Sequence, residues 1–206
     1  MYNSLLEYAK SGMKPRSNYM PIEQFNEVML HLRDLNMRKW NEVDVIMVFK
    51  IARWCALRLI EATRLKVEDF DLVIKEVYLG KTKTRNEDYA AIPDPFIPEL
   101  REYLEGKHGL LLDPIPKRDT IEKWISKLGV ICEVKAWTTP QKVTGEKTKM
   151  HIFRKSIGKD MVYGVYDGKK APLNVVMKHM RHSKLDTTSK YLKVDIEEAK
   201  DYWNTI

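Results

Sequence analysis

Cysteine is scarce in this sequence, with Cys55 and Cys132 the two examples among 206 residues. They form no Cys-x-x-Cys pair and no zinc-ligand spacing, so the sequence predicts neither a metal site nor a disulfide framework. Cys55 lies beside Trp54 in an apolar helical run, where we expect a small buried side chain rather than a reactive thiol. This cysteine usage is typical of an intracellular protein, and we expect a cytoplasmic location.

Long apolar segments are missing as well. No run of about 18 apolar residues occurs, so we expect no membrane span. The first ten residues contain no basic stretch followed by an apolar one, and they do not have the pattern of a secretory signal. With 44% apolar and 32% charged residues, the composition is typical of a soluble globular domain rather than of a disordered chain.

The charge is unevenly distributed along the chain. Between Lys142 and Lys193 there are 13 Lys or Arg against 4 Asp or Glu, an excess of +9, whereas the whole chain carries +7 and the remainder therefore sums to −2. A basic C-terminal third on a near-neutral body favours a polyanionic partner, with DNA or RNA first. Charge alone does not separate this interpretation from an ordinary solvated face.

Hydrophobic periodicity predicts a mainly α fold (α+β) with one small antiparallel β-sheet. Residues 1–19 hold chain breakers and no periodicity, so we expect a tail or linker ahead of one domain at 20–206. The predicted helices are at about 21–32, 41–63, 96–106, 118–128, 150–163, 172–181, 184–191 and 195–204, and the predicted strands are at 76–81 and 88–92.

Two Arg-containing pairs are candidates for binding a phosphate. Arg58 lies in an otherwise apolar predicted helix, with Glu61 three residues further on and on the same face. Either the pair is an internal ion pair that closes the helix, or the carboxylate holds a guanidinium that is presented to a phosphate. His151 and Arg154 have the same spacing, although a His-x-x-Arg step taken singly is most often a solvated polar face.

A lysine and a tyrosine complete the set of candidates. Lys81 follows Gly80 at the end of the first predicted strand, where a lysine is normally just exposed. His182 precedes Tyr191 by nine residues, with a Thr-Thr pair between them. The protein contains ten tyrosines, so residue type alone does not single out Tyr191.

The order of these residues resembles the tyrosine recombinase family of phage integrases and Xer-type resolvases. The positions that match are Arg58, Lys81, His151, Arg154, His182 and Tyr191. The family's first box, its Gly-Lys step at a hairpin and its last His-to-Tyr spacing all have counterparts here, over about residues 20–206. The sequence departs from the family pattern at Ile60 (usually Ser), at Lys155 (often a second histidine), at Arg181 (usually Gly) and in the longer stretch between Arg154 and His182.

The resemblance implies an enzyme that cuts and rejoins double-stranded DNA at a specific site through a 3′-phosphotyrosine, without metal, cofactor or ATP. It implies Tyr191 as nucleophile and Lys81, or alternatively Lys83, as the acid for the leaving oxygen. It also implies that the other four matching residues stabilise the transition state and that Glu61 supports Arg58. Guanidinium groups suit this task because they form paired hydrogen bonds to phosphate and keep their proton.

The expected partner is DNA, with further basic residues as candidate contacts: Lys83, Arg85, Lys149, Lys155, Arg181 and Lys184. The resemblance implies a tetramer on DNA and a monomer or weak oligomer when free, with helix 195–204 packed on its own core or on a neighbour. A type IB topoisomerase and a DNA-binding module without catalysis remain alternatives. Scarce glutamine (Gln24 and Gln141) with abundant Lys and Glu is compatible with a thermophilic source such as an archaeal virus or plasmid.

Overall fold

The fold is built around a buried helical centre. The computed structural model describes residues 19–35, 37, 39–81, 87–138, 149–166 and 168–182. The helices of the described residues are α1 (Ile22–His31), α2 (Glu42–Trp54), α3 (Leu59–Ala62), α4 (Ile97–Leu104), α5 (Arg118–Ile131), α6 (Lys135–Thr138), α7 (Ile152–Tyr163) and α8 (Leu173–His179). The strands are β1 (Phe70–Asp71), β2 (Glu76–Lys81) and β3 (Glu87–Ala91). Among these helices, none is both long and apolar enough to cross a membrane.

Helix α2 supplies the core against which α7 packs. It begins after Asn41, whose side chain accepts a hydrogen bond from the backbone N–H of Val43 at 2.8 Å, and this N-cap was predicted from the sequence. Phe49 of α2 and Phe25 of α1 both lie edge-on to Phe153 of α7, with ring centroids 5.5 Å apart in each pair. All three rings are buried, so α7 is fixed from two sides by aromatic contacts.

The helix predicted at 41–63 is not continuous, because α2 ends at Trp54 and a separate short helix, α3, covers Leu59–Ala62. Ala56 has a left-handed backbone (φ 50°), and the N–H of Leu57 returns to the carbonyl of Ala52 at 2.9 Å, which closes the helix end. The apolar stripe continues through this break, with Cys55, Ala56 and Leu59 all fully buried. Hydrophobic periodicity therefore could not reveal the end of the helix.

The sheet has the order β1-β2-β3, and both pairings are antiparallel. Val77 pairs with Ala90, and Lys81 pairs with Glu87, so the predicted strands at 76–81 and 88–92 are confirmed within one residue. The register shifts between Tyr78 and Lys81, where Gly80 has a positive φ of 84°. The shift turns the end of β2 just before the segment that joins the two strands.

Close packing sets the position of α8 on α7. A Cβ atom at Gly158 would lie 2.4 Å from Sδ of the buried Met180, so the absence of a side chain allows the approach. Gly164 ends α7 in the left-handed conformation with φ 67°. The predicted helices at 150–163 and 172–181 are confirmed with shorter bounds, whereas those at 184–191 and 195–204 lie outside the described residues.

Candidate active site

The break after α2 places Arg58 at the start of α3 rather than inside a helix. Arg58 is the N-cap of α3, with an extended backbone (φ −70°, ψ 139°). Its backbone N–H donates to Glu61 Oε2 at 2.9 Å, and its Nη1 donates to Glu61 Oε1 at 2.5 Å. The Arg58 side chain is nevertheless 44% exposed, so one side of the guanidinium is held by a carboxylate and the other faces solvent.

Arg181 shares the Glu61 carboxylate with Arg58. Its Nη2 donates to Glu61 Oε2 at 2.8 Å, and its Nη1 donates to Asp88 Oδ2 on β3 at 2.5 Å. The Arg181 side chain is 11% exposed, so this candidate for DNA contact is engaged within the fold by two carboxylates. Burial alone would raise the pKa of Glu61, but Arg181 and Arg58 together hold that pKa below its usual range.

The backbone of Arg181 accounts for the glycine that the resembled family carries at this position. Its φ is 51°, in the left-handed region that an L-residue enters at a cost of about 1–2 kcal/mol. The Arg181 N–H donates to the carbonyl of Lys178 and the His182 N–H to that of Met177, both at 3.0 Å, so a tight turn ends α8 here. This turn directs His182 back toward α7.

Arg154 lies in the first turn of α7 and is 6% exposed. Its Nη2 donates to the backbone carbonyl of Met180, in the turn that carries Arg181 and His182. The sequence predicted that Arg154 and His151 share a helix face. His151 instead ends a 3-10 turn (Lys149–His151) that leads directly into α7, and the two side chains remain close.

Two histidines face the two arginines. Partial burial and the positive charges of Arg58 and Arg154 lower the pKa of His151 to about 4. Partial burial, followed by Arg154, Arg58 and Arg181, lowers the pKa of His182 to about 4 as well. The turn that ends at His151 packs against α3, which begins after Arg58, and Arg154 bonds to the Met180 carbonyl two residues before His182, so four of the six sequence-predicted residues lie together. With pKa values of about 4, both histidines are neutral at pH 7.

The other described basic candidates lie beside this cluster. Lys155 is 9% exposed, and burial together with the charge of Lys159 lowers its pKa to about 8. The ammonium of Lys149 donates to the carbonyl of Trp137, whose indole N–H donates to the carbonyl of Lys149 at 3.1 Å. This reciprocal pair anchors the turn that ends at His151.

Lys81 is the one remaining sequence-predicted catalytic residue whose backbone lies within the described residues. The backbone of Lys81 is in β2, opposite Glu87, on the hairpin whose β3 strand contributes Asp88 to Arg181. The remaining four lie outside the described residues: Lys83, Arg85, Lys184 and Tyr191. The nucleophile and the leaving-group acid therefore remain predictions.

Sequence reasoning missed a buried polar network that ties α2 to α7. Arg53 and Asp160 are both fully buried, with Arg53 Nη2 and Asp160 Oδ2 2.5 Å apart. The hydroxyls of Tyr19 and Tyr166 donate to the two Asp160 oxygens at 2.7 and 2.9 Å, and Arg53 Nη1 donates to the Met20 carbonyl at 3.0 Å. Arg53 inside an apolar run was the available signal, but its partner lies far along the chain.

Comparison with solved structures finds the same fold in several proteins. XerA recombinase matches with a TM-score of 0.61 at 14% identity, over 91% of this chain and 62% of that protein. The catalytic domain of bacteriophage HP1 integrase matches with a TM-score of 0.59 at 18% identity, over 85% of this chain and 86% of that domain. XerH recombinase, bound to its difH substrate after cleavage, matches with a TM-score of 0.61 at 18% identity, over 95% of this chain and 56% of that protein.

The chain thus spans about three fifths of the length of XerA and XerH. Comparison with curated proteins found no significant match. The family model described as the phage integrase family matches residues 19–198, which is most of the chain. The mainly helical fold with a small antiparallel sheet, predicted from the sequence, is confirmed. The chain belongs to the phage integrase family of tyrosine recombinases.

Proposed function

We propose that the chain is a site-specific DNA recombinase or integrase that cleaves and rejoins DNA through a 3′-phosphotyrosine at Tyr191. The observation that carries the proposal is the convergence of Arg58, His151, Arg154 and His182, with the Arg58 side chain 44% exposed to solvent. Two guanidinium groups and two neutral imidazoles match what a phosphodiester demands when negative charge builds on its non-bridging oxygens. The structurally similar XerH was solved bound to its difH substrate, which supports DNA as the partner of this chain.

The two arginines have different supports and therefore different tasks. Arg58 is half exposed and braced by Glu61, so it is available to form paired hydrogen bonds with an incoming phosphate. Arg154 is buried and bonded to the Met180 carbonyl, so it holds the α8 turn in place while its charge acts on the same phosphate. Loss of either guanidinium costs about 3–4 kcal/mol of transition-state stabilisation, by comparison with a lost oxyanion donor.

The reaction balances without an external energy source. The Tyr191 oxygen loses its proton and bonds to phosphorus, while the bond from phosphorus to the 5′-oxygen breaks. The departing alkoxide takes a proton from Lys81, and a second 5′-hydroxyl later reverses the step. Because the phosphotyrosine conserves the energy of the phosphodiester, neither ATP nor a metal ion is needed in this scheme.

The neutral histidines suit proton handling near the tyrosine. His151 has a pKa of about 4 because the site is partly buried and cationic, so it is deprotonated and can accept the Tyr191 proton. A phosphate anion bound between Arg58 and Arg154 would raise that pKa and make the imidazole a better base. His182 supplies a hydrogen bond to the phosphate.

Arg181 is proposed as a positioning residue rather than a DNA contact. Its two ion pairs link Glu61, which holds Arg58, to Asp88, which lies on the hairpin of Lys81. The resembled family has glycine here, so this chain adds a brace between the two halves of the cluster. Lys83, Arg85, Lys149 and Lys184 remain proposed DNA contacts, whereas Lys155, at 9% exposed, is too buried to be proposed as one. Assembly into a tetramer on DNA is part of the proposal.

One pair of assays separates this function from the two alternatives. Duplex DNA carrying the target site and a nick beside the cleavage position traps a covalent complex, because the short cleaved fragment diffuses away. A recombinase forms this complex and exchanges strands between two duplexes, whereas a type IB topoisomerase relaxes supercoils without exchange. Tyr191→Phe should form no covalent complex. Tyr89→Phe, at an exposed tyrosine on β3, is its matched control and should retain the complex. Intact DNA binding without any covalent complex would refute the catalytic proposal.

A further inference from the structure

Three metal-ligating side chains converge on elements that carry none of the candidate catalytic residues. Glu27 and His31 lie one turn apart on α1, and Cys132 is the residue that ends α5. One ligand atom from each of the three lies within 4.8 Å of the other two. The thiol lies about a hundred residues away in the chain from the imidazole and carboxyl groups. For this reason no spacing motif in the sequence indicated the cluster.

The fold holds these two helix ends together by other contacts. Gln24 of α1 donates from Nε2 to the carbonyl of Cys132 at 3.3 Å, and Lys127 of α5 donates to the carbonyl of Asp34 at 3.3 Å. Cys132 is 3% exposed, His31 is half-buried and Glu27 is exposed. The cluster thus has a buried thiol at its base and a carboxylate at its open side, which leaves an entry path for an ion.

A second carboxylate supports the imidazole. Asp34 Oδ2 lies 2.6 Å from Nδ1 of His31. A carboxylate on one ring nitrogen is the arrangement that orients a metal-binding imidazole and makes its other nitrogen more basic. Burial, followed by the negative charges of Glu27 and Asp34, raises the pKa of the Cys132 thiol to about 11. The same negative field attracts a cation, whose own charge would deprotonate the thiol.

We propose that Glu27, His31 and Cys132 bind a zinc ion, with Asp34 supporting His31 and a water molecule as the fourth ligand. A mixed sulfur, nitrogen and oxygen set favours a borderline-soft ion such as Zn²⁺ over Mg²⁺ or Ca²⁺. Tetrahedral zinc places its ligand atoms about 3.3–3.8 Å apart, so closing the present spacing takes a small side-chain movement, which the exposed Glu27 can supply. The bound ion joins α1 to the end of α5.

Cobalt(II) provides the direct test, because a thiolate ligand gives a charge-transfer band in the near ultraviolet and tetrahedral geometry gives intense visible bands. The full chain, reduced and free of metal, is titrated with Co²⁺ and then with Zn²⁺. We expect both sets of bands at one equivalent, and their loss when zinc displaces cobalt. Cys132→Ser and His31→Ala should abolish them, while Cys55→Ala, at the other buried cysteine, should retain them.

A second measurement keeps the proposal testable if a variant is poorly folded. Zinc at 100 times its Kd should raise the Tm of the wild-type chain by about 5–10 °C, and circular dichroism identifies any variant that does not fold. Asp34→Asn should weaken zinc binding by about 10–100-fold without abolishing it. Absence of the charge-transfer band in the wild-type chain, or an unchanged band in folded Cys132→Ser, would overturn the proposal. None of these readouts depends on DNA cleavage.

Discussion

Replacing Glu61 by glutamine tests how the cluster is braced. Glu61 accepts hydrogen bonds from the backbone and side chain of Arg58 and from the side chain of Arg181. Glutamine has nearly the same shape and can still cap α3 at its third position, so the helix start survives. The substitution removes the charge that two neighbouring guanidinium groups share and leaves them to repel each other.

The expected magnitude follows from the partial burial of the site. The Glu61 side chain is 25% exposed and that of Arg181 is 11% exposed, between the surface and interior cases. Surface pairs contribute about 0.2–1 kcal/mol and broken buried pairs cost about 3–5 kcal/mol, so Glu61→Gln should lose about 1–3 kcal/mol of stability. A displacement of Arg58 by about 1 Å should slow cleavage by about 100-fold, which corresponds to about 2.7 kcal/mol of barrier.

The assay is the rate of covalent complex formation on nicked DNA, beside a urea unfolding curve for each variant. Asp88→Asn is the matched control, since it breaks the other ion pair of Arg181 and leaves the bond between Arg58 and Glu61 intact. We expect Asp88→Asn to lose similar stability but to slow cleavage by less than about 10-fold. Equal rates for the two variants, or a Glu61→Gln rate within about threefold of wild type, would refute this reasoning.

Three further predictions concern stability. Asp160→Asn leaves the fully buried Arg53 without its counter-charge, so unfolding should become easier by about 3–5 kcal/mol and Tm should fall by about 6–20 °C, measured by calorimetry. Because His151 and His182 have folded pKa values near 4 and an ordinary value of 6.5, the unfolded chain binds more protons between these limits. Stability should therefore fall as pH drops from 6.5 to 4, by about 1–2 kcal/mol in total after solvent screening, and urea curves that do not change over this range would contradict it. Glu133→Gly should raise Tm by about 2–4 °C, because exposed Glu133 has a left-handed φ of 50° after α5.

The sequence predicted the order of the elements well where periodicity changes abruptly. The strand bounds near Val77 and Ala90 were within one residue, because alternation gives way to polar residues on either side. The break after Trp54 was missed because the buried stripe runs through it without a glycine or proline. Local patterns indicate which residues are buried, and they do not indicate where a buried helix ends.

In the candidate site, contacts between residues close in sequence were predicted, and contacts between residues far apart in sequence were not. Spacing predicted that His151 and Arg154 lie together, and it predicted Glu61 as the support of Arg58. It did not predict that Arg181 takes the other side of Glu61, since that contact joins residues 120 positions apart in the chain. Nor could it find Asp160 as the partner of Arg53, because buried ion pairs depend on the final packing of α2 against α7.

Identification of the residue that carries the DNA tests the central claim most directly. Wild-type protein is trapped on nicked target DNA, digested with protease and nuclease, and the nucleotide-bearing peptide is sequenced by mass spectrometry. The account predicts the nucleotide on Tyr191, attached through the 3′-phosphate, and no such peptide from Tyr191→Phe. A nucleotide on any other residue, or a covalent complex that persists in Tyr191→Phe, would contradict it.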